Sequence, residues 1–106
     1  MMIVNTDYIA GKEITQTLGM ARGSTIQAKN IGKDIMAVLR NIVGGELTEY
    51  SKMLEDAREK AINRMVDDAE RMGADAVINV RFMTAMVMAG SAEILAYGTA
   101  VKLSDK

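Results

Sequence analysis

The chain of 106 residues contains no cysteine, no histidine, no proline and no tryptophan. Without cysteine there is no disulfide staple and no thiolate for catalysis or soft-metal binding. Without histidine the commonest general base and the commonest metal ligand are both missing. The absence of proline, together with the lack of any low-complexity tract or internal repeat, leaves nothing that reads as a linker, so residues 1–106 are expected to form a single domain. Aromatic residues make up only 4%, three tyrosines and one phenylalanine, although 49% of the chain is apolar. Ala, Val, Ile, Leu and ten methionines must therefore fill the interior, and such side chains pack adaptably rather than specifically. A subunit this small, with a thin core and nothing to staple it, is expected to gain stability by self-association.

Charge of one sign is also scarce in excess: 13 basic against 14 acidic residues give a net charge of −1. No long-range field would draw such a protein to nucleic acid or anionic lipid, so neither is expected as a partner. The opening Met1-Met2-Ile3-Val4-Asn5-Thr6-Asp7 has no basic or apolar leader pattern, and no apolar run approaches the roughly 20 residues that span a bilayer. A cytoplasmic location is the expectation.

The apolar periodicity predicts an α+β fold. Ile14 to Ala28 holds β-formers and small residues punctuated by Gly19 and Gly23, a strand broken by a bulge or tight bend. Asn30 is a good N-cap for a first helix carrying Ile31, Ile35, Val38, Leu39 and Ile42 on one face, stopped by Gly44-Gly45. A longer second helix starts near Thr48 and ends at Gly73. Tyr50, Met53, Leu54, Ala57, Ala61, Ile62, Met65, Val66, Ala69 and Met72 form its broad apolar face. Its charges at i,i+4, Asp56 with Lys60, Arg64 with Asp68 and Asp67 with Arg71, read as pairs on a solvated face. After Gly73 the period becomes 2: Ala76, Ile78, Val80 and Phe82 alternate with Val77, Asn79, Arg81 and Met83. Ala89-Gly90-Ser91 is a turn signal, and Ile94 to Leu103 returns as the second strand of an antiparallel hairpin, with Gly98 marking a bulge or a close backbone approach.

Several groups of residues are candidates for chemistry. Arg58 falls, on a helical wheel, between Leu54, Ala61, Met65 and Ala69. Either its stem packs while the guanidinium reaches water, or it forms a buried or interfacial ion pair, with Asp34 and Glu13 as candidate partners. A hard cation would draw on Glu13, Asp34, Glu46 and Glu49, and thioether sulfurs at Met83, Met86 and Met88 have a spacing that suits Cu(I), although on a strand they do not all share a face. Asn30-Ile31-Gly32-Lys33 at a helix start, beside Lys29, offers a small anion free backbone N–H groups, without being a phosphate loop. Arg40 suits the C-terminal end of the first helix, and Arg81 shares a strand face with Asn79 and Met83, lining a cavity or an interface. Enzymatic chemistry would have to rest on Glu13 or Asp34 with Arg40, Arg58, Arg81 or Tyr97, since Ser51 and Ser91 have no recognisable base; an enzyme is the less favoured reading. The residues by themselves assign no cofactor and no metal ligand.

The chain resembles the YbjQ-like family, small bacterial and archaeal proteins of unassigned activity that carry a heavy-metal-binding label. The resemblance rests on Gly11-Lys12-Glu13-Ile14, Leu18-Gly19, Ala28 to Asp34, Arg40 to Gly45, Tyr50, Ala57-Arg58, Gly73-Ala74-Asp75-Ala76, Val80-Arg81-Phe82 and Tyr97-Gly98-Thr99-Ala100-Val101, in order along nearly the whole chain. It implies an α+β subunit with a small, antiparallel-type sheet packed against two helices, assembling into a homopentameric ring. Without cysteine or histidine, the metal label has little in this chain to rest on. The reading that emerges is a self-assembling small-ligand-binding or scaffold protein, with heavy-metal or divalent-cation binding as the alternative and an enzyme third. Glu13, Asn30, Asp34, Arg40, Arg58 and Arg81 are its candidate ligand-binding residues.

Overall fold

The computed structural model describes residues 1–27, 48–88 and 91–106. They form strand β1 (Met2–Ile3), strand β2 (Lys12–Gln27), helix α1 (Thr48–Arg71), strand β3 (Ala76–Met88) and strand β4 (Ser91–Asp105). The four strands make one sheet in the order β1-β3-β4-β2. β2 and β3 both pair antiparallel with β4, but β1 pairs parallel with β3, so the sheet is mixed rather than antiparallel throughout. A two-residue strand is too short to show periodicity, which is why the sequence does not announce β1. The helix expected around residues 31–43 lies outside the described residues, as do Ala89 and Gly90 of the expected turn. No helix among the described residues is long and apolar enough to cross a membrane.

α1 ends as its sequence predicts. Gly73 takes φ 79, a left-handed conformation that costs glycine nothing, and this lets Gly73 N–H donate to the Glu70 carbonyl at 3.0 Å and Ala74 N–H to the Ala69 carbonyl at 3.1 Å. That pair of bonds closes the helix in a Schellman motif and turns the chain directly into β3.

The helix packs on the sheet through small residues. Ala57, Ala61, Met65 and Ala69, spaced by four, are fully buried against Ala21 of β2, Val77 of β3 and Ile94, Ala96 and Ala100 of β4. At Gly23 the approach is closest: a Cβ added there would collide with the Met65 backbone nitrogen and lie 2.5 Å from the Ala61 carbonyl oxygen. Gly23 is therefore the seat of the helix rather than a bend in the strand. Thr25, two residues on, is also buried, and its hydroxyl has no hydrogen-bond partner among the described residues. Gly98 is crowded from within the sheet, since a Cβ there would stand 2.7 Å from Val77 Cγ1 and 2.8 Å from the Ile78 carbonyl oxygen.

A second cluster lies at the other end of the sheet, on the opposite face: Ile9, Ala76, Ile78 and Val101, with Val4, Ile14 and Leu103 packed around them. The N-terminal segment is sewn to β3 by Val4 N–H to the Val77 carbonyl (3.0 Å), Val80 N–H to the Val4 carbonyl (3.0 Å) and Asn79 N–H to the Thr6 carbonyl (2.9 Å). This stitching straddles a β-bulge. Asn79 takes φ 54, and the β3–β4 register shifts between Ile78 and Arg81. The bulge overturns the strict alternation expected for β3. Ala76 and Ile78 share a face with Arg81 and Met83, while Val77, Val80 and Phe82 lie on the helix side. An extra residue in one strand moves every later side chain to the other face, and no period-2 count can see it.

Replacing Gly23 by Ala should lower the unfolding free energy by about 3 kcal/mol, because the added methyl meets helix backbone that cannot move without lifting α1. Urea denaturation of Gly23→Ala measures this; a variant within about 0.5 kcal/mol of the parent contradicts the close seat.

Candidate functional site

On the sheet face turned away from α1, the register sets side chains in rows across three strands. Met20 stands opposite Thr99. Arg22 stands opposite Tyr97, which in turn faces Arg81; Ser24 opposes Leu95, which faces Met83; and Ile26 opposes Glu93, which faces Ala85. The alternation in β2 produces this face: Ala21, Gly23 and Thr25 turn inward under the helix, so Met20, Arg22, Ser24 and Ile26 turn outward. Met20 is 62% exposed, Ile26 58% and Met83 54%, an apolar surface that no described residue covers. Arg81 donates from Nη1 to the Asn5 carbonyl at 2.9 Å and to the Val80 carbonyl at 3.0 Å, tying it to the N-terminal segment.

Along the outer edge of β2, α1 supplies the partners that a neighbouring strand would otherwise provide. Asp68 Oδ2 accepts the Arg22 N–H at 3.0 Å, and Arg64 Nη1 donates to the Ser24 carbonyl at 2.5 Å. The sequence suggests an Arg64–Asp68 pair on a solvated helix face. Instead each residue satisfies an edge backbone group, and the ion pair Asp68 makes is with Arg71, 3.4 Å away. Guarding an edge in this way blunts pairing with another chain.

A separate cleft of ≈ 400 Å³ is lined by Met2, Ile9, Lys12, Asp75, Leu103, Ser104 and Asp105. Lys12 Nζ pairs with Asp105 across it. Asp75 is already used by the fold: its Oδ2 accepts the Leu103 N–H at 2.8 Å, and its own N–H donates to the Val101 carbonyl at 2.9 Å. The Lys12 ammonium, by hydrogen bond and by charge, holds the Asp105 carboxyl below its ordinary range.

The six candidate residues do not all converge. Asn30, Asp34 and Arg40 lie outside the described residues, as do Lys29, Lys33 and Glu46. Glu13 is exposed at the start of β2 beside Lys12. Arg58 is exposed on α1 rather than buried in the apolar stripe. The buried row advances by four residues, about 40° per step, so the stripe spirals around the helix; Met65 and Ala69 flank Arg58 on a wheel but stand two to three turns further on. Nor does Glu13 answer it. α1 runs antiparallel over β2, with Asp68 at Arg22 and Arg64 at Ser24, so Arg58 lies beyond Ser24 and Glu13 is roughly 40 Å back along the strand. Arg81 is brought together with Tyr97 and with Arg22, a residue that sequence reasoning missed. The signal for it was present in the small-residue alternation Ala21, Gly23, Thr25, which turns Arg22 outward.

Among the described residues, one helix packs on a four-stranded mixed sheet, the arrangement of a small α+β protein. A crystal structure of a protein of unknown function from Pediococcus pentosaceus shares this fold, with a TM-score of 0.55 at 17% identity and 98% of each chain covered. The family model YbjQ, described as "Putative heavy-metal-binding", matches residues 1–104. A "UPF0145 protein" of Methanosarcina acetivorans is 80% identical over the full length of both chains, and one from Clostridium novyi is 56% identical, covering 97% of this chain and 99% of its own. The chain belongs to the YbjQ family of UPF0145 proteins. The donors at hand fit a heavy metal poorly: there is no His or Cys, and among the described residues no three acidic side chains gather as a metal would require.

In Lys12→Met, the Asp105 titration midpoint followed by carboxyl NMR should rise toward the ordinary carboxylate range. The pair's small contribution to stability is present above that range and fades as pH falls through the lowered midpoint of the parent. An unchanged midpoint would show that Lys12 is not its cause.

Proposed function

We propose that this protein is a self-assembling small-ligand-binding or scaffold protein, cytoplasmic, whose working unit is a homopentameric ring. The observation that carries the proposal is the open sheet face, where Met20, Ile26 and Met83 are each more than half exposed beside Leu95 and Tyr97. Several large apolar side chains exposed on one sheet face of a small chain with a core rich in alanine are best explained by burial against further copies. No catalytic step is assigned, since the register sets two arginines, not a carboxylate base, opposite Tyr97. The family's metal label supplies the alternative, in which carboxylates such as Glu13 would be gathered from several copies of the chain.

Multi-angle light scattering should give a mass about five times that of the 11.5 kDa chain, unchanged between low salt and roughly 0.5 M salt because the burial is apolar. Ile26→Lys with Met83→Lys should reduce that mass, since both side chains are exposed in the single chain. A monomer at micromolar concentration contradicts the proposal.

A further inference from the structure

The cleft at the Ile9 end of the sheet carries fixed charge at two places. Lys12 reaches it from β2, paired with Asp105, and Asp75 reaches it from the β3 side of β4, where its Oδ2 holds the Leu103 N–H. Neither end is exhausted. An ammonium has three donors, of which Lys12 spends one on Asp105, and Asp75 Oδ1 makes no hydrogen bond or ion pair among the described residues. Ile9, itself buried, gives the same cleft an apolar wall together with Leu103 and Met2. Its ≈ 400 Å³ stands at the small end of the range for ligand pockets, the size of a single small metabolite rather than a nucleotide. From Lys12 to Met20 is roughly 25 Å along β2, so the cleft is clear of the apolar face ascribed to self-assembly.

We propose that this cleft binds a free α-amino acid with an aliphatic side chain, its ammonium on Asp75 Oδ1, its carboxylate on Lys12 Nζ and its side chain against Ile9, Leu103 and Met2. A ligand with one charge leaves one end unanswered, and a phosphate or dicarboxylate meets two aspartates with like sign, so a zwitterion is the class that matches both ends. The Lys12–Asp105 pair is exposed and contributes little by itself, so sharing the ammonium with a ligand costs little. The inference rests on the small-ligand-binding reading above and names its ligand class. Its failure would leave self-assembly, read separately by light scattering, untouched.

L-leucine titrated into the full-length protein and followed by amide NMR tests it, beside isopentylamine, which lacks the carboxylate, and 4-methylpentanoate, which lacks the ammonium. For leucine, saturable shifts at Lys12, Asp75 and residues 103–105 are expected, with a midpoint of roughly 1 mM or lower and midpoints at least about tenfold higher for both analogues. Lys12→Met, a change at a partly exposed side chain, should weaken leucine about tenfold and leave isopentylamine unchanged. Asp75→Asn keeps an acceptor for the Leu103 N–H, and should weaken leucine while leaving 4-methylpentanoate unchanged. Absence of saturation below roughly 10 mM, equal midpoints for the three ligands, or leucine binding unaffected by Lys12→Met overturns the proposal. So does a loss in Lys12→Met that falls equally on leucine and isopentylamine, since a carboxylate anchor cannot act on a ligand without one.

Discussion

The structure depends on the contact between the backbone of α1 and Gly23. Every other close contact of the helix follows from it, because a helix backbone can sit on a strand only where neither surface carries a large side chain. Ala57, Ala61 and Ala69 on one side, and Ala21, Ala96 and Ala100 on the other, are the residues that such a distance permits. Met65, Ile94 and Val77 supply the bulk, each contributing about 1.5–3 kcal/mol by full burial. A chain with almost no aromatic residues is suited to this design, since close approach recovers in dispersion contacts what larger side chains would give in area.

Seating the helix so low has two consequences at the site. It brings Arg64 and Asp68 down to the backbone of β2, where they occupy edge groups at Ser24 and Arg22. It also commits the small residues of β2 to the inner face, and alternation then presents Met20, Arg22 and Ile26 on the outer one. The exposed apolar and cationic surface is thus the other side of the same pattern that makes the core. The bulge at Asn79 completes it by turning Arg81 and Met83 outward beside Tyr97 and Leu95.

Much of this was legible in the sequence, and the failures have physical causes. The extent of α1, the presence of β2 and β4, the Gly73 stop and the crowding at Gly98 follow from periodicity and glycine placement, although β2 starts two residues earlier than expected, at Lys12, and β4 already includes Ser91 of the expected turn. Gly23 was visible as a special position, but a glycine needed for close approach and one needed for a bend look alike until the partner backbone is known. The faces of β3 were misassigned beyond Ile78 because one inserted residue inverts the alternation. Arg58 was placed in the apolar stripe by a wheel that superimposes turns far apart along the axis. The parallel pairing of β1 with β3 and the Lys12–Asp105 cleft depend on contacts between residues far apart in the sequence, which no local pattern records. Of the candidate site residues that are described, Glu13, Arg58 and Arg81, only Arg81 falls in the row across β2, β4 and β3.

The most direct test of the central contact is a nuclear Overhauser measurement on the folded protein, between the α-protons of Gly23 and the backbone amide proton of Met65. A glycine seated directly beneath the helix predicts a cross-peak as intense as those between sequential helix amides, accompanied by one from Gly23 to the Ala61 α-proton. Absence of both, with Gly23 showing contacts only to its strand neighbours, would mean that α1 stands off the sheet at an ordinary distance and that the small-residue seat does not exist.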